Sequence, residues 1–109
     1  MNTSGNDPAL PFSFGMTELA KRQLGDIAKE AVEIGRQTEI PIALTRAIRL
    51  LQVQARECGD PVYDLRKMNV QVRRLICPPL VFEYGVHTIN PDVIVRRVTW
   101  LRLPNRTDL

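Results

Sequence analysis

The sequence predicts an α+β domain: a short N-terminal strand, then a two-helix hairpin packed on a mainly antiparallel sheet with three C-terminal strands. Three observations carry that expectation. Two stretches in the first half repeat apolar residues at steps of three and four. Three runs between residues 70 and 101 are rich in β-branched and aromatic residues, with proline and glycine mainly at their edges. A short run over residues 11–15 places Phe12 and Phe14 on one face of a strand ahead of the helices. With 109 residues, 44% of them apolar, the chain suits a single domain with one modest core. The expected division is a disordered lead over residues 1–11, one domain over 12–103 and a tail over 104–109.

The elements follow in order. Thr17 is a natural N-cap for the first helix. Its stripe is Ala20, Leu24, Ile27, Ala28, Ala31 and Ile34, and Gly35 marks its end. The second helix starts near Thr38 or Glu39, where the first turn tolerates Pro41. Leu44, Ile48, Leu51 and Ala55 line its apolar face, widened by Ala47 and Leu50, while Arg46, Arg49 and Arg56 point outward. The cluster Cys58-Gly59-Asp60-Pro61 terminates it. Strands are then expected over residues 70–77, 80–86 and 93–101, separated by Pro78-Pro79 and by the turn-forming HTINPD segment.

Charge is unevenly spread. Residues 1–64 carry seven Lys/Arg against nine Asp/Glu, and residues 65–109 carry eight against three. The second half is therefore net +5, a balance suited to a polyanion such as nucleic acid or the ribosome. Arg73-Arg74 and Arg96-Arg97 lie within strands, so one arginine of each pair faces away from the core. Adjacent strands would set those arginines side by side. Cys58 and Cys77 are far apart, and His87 is the single histidine, so neither a disulfide framework nor a metal site is expected. No apolar run reaches the roughly 18 residues of a membrane span. The opening residues lack the pattern of a signal peptide, which makes the cytoplasm the expected location and a membrane partner unexpected.

Three passages resemble the RelE/ParE superfamily of toxins from type II toxin–antitoxin and plasmid stabilisation systems. FSFGMTELAKRQL is similar to the family's opening strand and first helix; LVFEYGV resembles its third strand, which ends near an aromatic residue, here Tyr84. VIVRRVTWLR resembles its last strand, with Trp100 in the histidine-like place and Arg102 in the arginine place. The resemblance spans roughly residues 12–102 and implies a RelE/ParE-like fold, a cognate antitoxin as partner and no cofactor. A second copy of the chain, in a homodimer, is a further expected partner, with the oligomeric state left open.

Two activities follow from the resemblance. RelE-like members cut messenger RNA on the ribosome without metal, and ParE-like members poison DNA gyrase through protein contacts. For a metal-independent endoribonuclease the implied catalytic set is Arg73, Arg74, Arg97 and Arg102 on phosphate, with Tyr84 and His87 moving protons. Arg66, Lys67, Arg96 and Trp100 are the implied RNA-binding contacts. The chain departs from the nuclease pattern at one place: Val81 or Phe82 stands where active relatives commonly carry a third-strand arginine. The alternative is a gyrase inhibitor or a non-catalytic, protein-binding relative. Each candidate also has a plainer role: the arginines as a solvated sheet face, Tyr84 as a core aromatic, Trp100 as packing, and His87 as turn surface.

Overall fold

The computed structural model describes residues 12–101. Strand β1 (Ser13–Met16) leads into helices α1 (Glu18–Glu33) and α2 (Glu39–Gln54). They are followed by β2 (Asp60–Leu65), a short 3-10 turn (Arg66–Met68), β3 (Val70–Cys77), β4 (Leu80–His87) and β5 (Asp92–Trp100). The sheet order is β1-β5-β4-β3-β2, with β1 parallel to β5 and every other pairing antiparallel. The expected lead and tail, and Arg102, lie outside the described residues.

Thr17 caps α1 as expected, its hydroxyl oxygen accepting the Ala20 N–H at 3.1 Å. The same hydroxyl donates to the Arg96 carbonyl at 3.2 Å, and the Thr17 N–H reaches the Val95 carbonyl at 2.9 Å. The cap therefore also ties the helix start to β5. Gly35 takes a left-handed φ of 74° just past α1, consistent with a helix stop.

Both helices cover one face of the sheet. Their most buried positions are small: Ala20 and Ala31 on α1, Ala43 and Ala47 on α2. Alanine lets the helix backbones approach the large sheet residues Leu80, Phe82 and Tyr84, all of which are fully buried. The stripe of α2 is rotated from the one read in sequence. Ile40, Ala43, Ala47 and Leu51 form its centre, and Leu44 and Leu50 flank it. Ile34, counted in the α1 stripe, lies beyond the helix and is 54% exposed.

Strand β2 is an addition to the expected order. Its sequence, DPVYDL, contains a proline and two acids, and no residue in it is buried. An edge strand tolerates all of this because it contributes backbone pairing to β3 and needs no buried face. Gly59 makes the approach feasible: at φ 70° its backbone passes so close to Arg74 that a Cβ would sit 2.5 Å from the Arg74 carbonyl oxygen.

Candidate functional site

Strand alternation sorts the candidate residues onto two faces. Facing the helices, Arg73 on β3 stands opposite Tyr84 on β4. Arg73 is 8% exposed and directs its guanidinium into the turn after α2. Its Nε donates to the Cys58 carbonyl at 3.0 Å, Nη2 to the Gly59 carbonyl at 3.1 Å and Nη1 to Gln71 Oε1 at 2.6 Å. Tyr84 is fully buried, its hydroxyl within reach of the Cys58 carbonyl at 2.7 Å and the Ala55 carbonyl at 2.9 Å. The Cys58 sulfur lies 3.4 Å from the same oxygen. Burial, reinforced by Cys58, pushes the phenol well above its ordinary value. These two residues hold the end of α2 onto the sheet. A phosphate cannot reach Arg73, and a substrate proton cannot reach Tyr84, without opening that junction.

The face turned away from the helices is open. Asp60, Arg74, Glu83 and Arg97 are register partners across β2, β3, β4 and β5, and form one row. The exposed arginines Arg74 and Arg97 are thus two strands apart and not side by side, because β4 runs between β3 and β5 in the sheet as it does in the sequence. Glu83 stands between them. No cation occupies β4: Phe82 is in the core, and Val81 is a half-buried open-face residue beside the row.

A bulge in β5 opposite Glu83 and Tyr84 leaves Arg96 as the extra residue between Arg97 and Val95. Its side chain lies flat on the open face. The aliphatic stem passes over Gly85, where a Cβ would sit 4.0 Å from Arg96 Cδ, and Nη1 donates to the Tyr63 hydroxyl on β2 at 3.0 Å. Val72 lies between Gly85 and Tyr63 in that register and is fully buried although it belongs to no part of the helix-side core. Arg96 is its cover. The bulge is held from the other side by Thr17 and by Gln23, whose Oε1 accepts the Val98 N–H at 2.8 Å.

His87 ends β4, four residues from Glu83, or roughly 13 Å along the strand. Its Nδ1 accepts the backbone N–H groups of Ile89 at 3.1 Å and Asn90 at 2.9 Å, so the ring caps the β4–β5 turn. Arg56, in the turn after α2, closes the same turn by donating to the His87 and Asn90 carbonyls, with Phe12 stacked against its guanidinium at 5.0 Å. Beside His87 a depression of about 290 Å³ is lined by Gly15, Val70, Gly85, Asp92 and Ile94. Arg66 and Lys67 sit exposed on the 3-10 turn between β2 and β3.

Trp100 belongs to the helix side. Its Nε1 donates to the Glu30 carboxylate, and Arg36, paired bidentately with Glu39, covers the ring at 5.4 Å. The indole is therefore a packing residue at the α1–β5 junction, remote from the open-face arginines. Of the expected site residues, the structure brings Arg73 and Tyr84 together at the Cys58 carbonyl, and sets Arg74, Arg97 and the flat Arg96 apart from them on the open face. Sequence reasoning missed Gly85, Tyr63, Gln23 and the latch made by Arg56. Gly85 inside an apolar strand was the one available signal, since such a glycine marks close approach.

No protein-family model matches the sequence, and no curated protein matches it closely enough to count as a relative. Solved structures do match the fold. One is from the chromosomal ParDE toxin–antitoxin system of P. aeruginosa, with 18% identity, a TM-score of 0.61, and coverage of 84% of this chain and 97% of the other. Another is from the toxin–antitoxin complex RelBE2 of Mycobacterium tuberculosis, with 16% identity, a TM-score of 0.58, and coverage of 87% and 97%. The two helices on a mixed five-stranded sheet constitute a RelE/ParE-like fold.

Proposed function

We propose that the chain is the toxin-like component of a type II toxin–antitoxin system, neutralised by a cognate antitoxin, and that it acts in the cytoplasm by gripping a protein rather than by cutting RNA. The likeness in fold to chains of ParDE and RelBE2 toxin–antitoxin systems supports the first part. The placement of Glu83 between Arg74 and Arg97 supports the second and carries the most weight. A nuclease that lets the RNA 2′-hydroxyl attack its own phosphate needs cations converging on that phosphate and a proton carrier within hydrogen-bond reach. A carboxylate between the two exposed arginines repels the phosphate, Tyr84 is enclosed, and His87 is a turn cap far down the strand. A mixed-charge face with apolar neighbours suits a protein surface better.

The ParE-like reading names DNA gyrase as the protein gripped. The ribonuclease reading stands second, on the exposed Arg74, Arg97, Arg66 and Lys67 of the basic half. Induced expression in bacteria, with growth and plasmid supercoiling followed together, tests the proposal. Arrest with loss of supercoiling is the expected result; undisturbed growth with soluble, folded protein would remove the toxin role.

A further inference from the structure

The β4–β5 turn is held by hydrogen bonds that depend on one proton. His87 is the single histidine of the chain. Its Nδ1 accepts two backbone N–H groups, from Ile89 at 3.1 Å and from Asn90 at 2.9 Å. Accepting at Nδ1 requires the neutral ring, with its proton on Nε2. Other contacts converge on the same turn. The Thr88 N–H reaches the Asn69 carbonyl at 2.8 Å, and the Asp92 N–H reaches the Asn90 carbonyl at 2.9 Å. The Ser13 N–H, at the start of β1, reaches the Pro91 carbonyl at 2.6 Å. Arg56 donates Nη2 to the His87 carbonyl at 3.0 Å and to the Asn90 carbonyl at 2.9 Å. The turn thus joins β1, the end of α2 and the approach to β3 at one corner of the sheet.

We propose that His87 is a proton-operated clasp: when its ring takes up a second proton, the β4–β5 turn opens and the corner it joins loosens. The inference is independent of the toxin reading. An imidazolium carries N–H at both nitrogens and has no acceptor left, so Nδ1 would set a donor against two donors. Rotating the ring does not repair this, because it brings only a carbon or the other N–H to the amides. Among the described residues the charged groups around the ring come from four elements. Arg56 follows α2 and Asp92 begins β5, while Asp64 of β2 and Arg66 of the 3-10 turn lie on the Thr88 side. Strands β3 and β1 contribute the uncharged Val70 and Ser13. Arg56, bound to the His87 carbonyl, opposes a second positive charge beside it. Asp92 lines the same depression as His87 and offers its carboxylate to the charged ring, away from the amides. The clasp is therefore closed while the ring is neutral and is lost as falling pH charges it.

Nuclear magnetic resonance of the full chain tests it between about pH 7.5 and about pH 4.5, across the range in which histidine charges. The ring protons of the one histidine report its charge. Amide exchange at Ile89, Asn90, Thr88 and Ser13, corrected for its intrinsic dependence on pH, reports the turn. Exchange at all four is expected to quicken by about tenfold or more in step with the charging of the ring, as the loss of one to two hydrogen bonds allows. In His87→Asn the side-chain oxygen accepts from the same amides and takes up no proton, so protection should persist in acid. Circular dichroism checks that this variant is folded; His87→Asp, whose carboxyl oxygen accepts in either charge state, replaces it should it fail to fold. Four results overturn the proposal: a ring that stays neutral throughout, a ring that charges while the amides keep their protection, a loss in acid that His87→Asn shares, or a loss confined to Ile89 and Asn90.

Discussion

The Tyr84 hydroxyl lies 2.7 Å from the Cys58 carbonyl oxygen, and through it a strand in the middle of the sheet holds the turn after α2. Arg73 donates to the same carbonyl from the neighbouring strand at 3.0 Å. Tyr84, which the family resemblance implied as a proton carrier, ties the turn after α2 to the sheet.

Tyr84→Phe should therefore cost about 1 kcal/mol of stability, the loss of one buried hydrogen bond with the ring still packed. A lowered midpoint in urea, with any growth arrest unchanged per folded molecule, is the expected pair of results.

The raised phenol also fixes a dependence on pH. Tyr84 is neutral when protonated, and its folded value stands above its unfolded one. Its contribution is fully present below the unfolded value of about 10 and is lost as the pH rises from there toward the folded value. Alkaline titration should show the phenolate absorbance that Tyr84→Phe removes appearing only as the domain opens.

Arg73→Met keeps the apolar stem but takes the donor from the Gly59 carbonyl and the Gln71 side chain, and leaves the Cys58 carbonyl to Tyr84 alone. Destabilisation of about 2–3 kcal/mol is expected, measurable as a fall in melting temperature. Arg74→Ala, one residue on and exposed, should change stability by less than about 0.5 kcal/mol.

Gly85→Ala places a Cβ 2.9 Å from Val70 Cγ1, inside contact distance. Val70 must shift, at about 1–2 kcal/mol, while Arg96 Cδ stays in ordinary contact at 4.0 Å. A lowered midpoint in urea, with the accessibility of Tyr63 to modification unchanged, is the expected pair of results.

The helices and the three C-terminal strands were legible because burial writes a period into sequence, 3.6 on α1 and α2 and 2 on β3 to β5. Strand β2 buries nothing, so DPVYDL carries no such period and its Pro61 reads as a stop. The rotation of α2 was obscured because its closest contacts are alanines, which a hydropathy pattern ranks below Leu44 and Ile48. The site was less legible still. Short turns join β3, β4 and β5, so their meander was legible, but what sets Glu83 between Arg74 and Arg97 is the register, with its bulge in β5. No local pattern encodes it. Nor does sequence tell which arginine of a pair faces inward: Arg73 and Arg74 differ by one pleat, and only the register decides.

The central claim is that the open face binds and does not cut. Purified protein incubated with ribosomes translating a defined message, followed by primer extension, tests it most directly. Full-length message at protein concentrations that arrest growth is the expected result. New cleavage ends that disappear in Arg74→Ala or Arg97→Ala would contradict it.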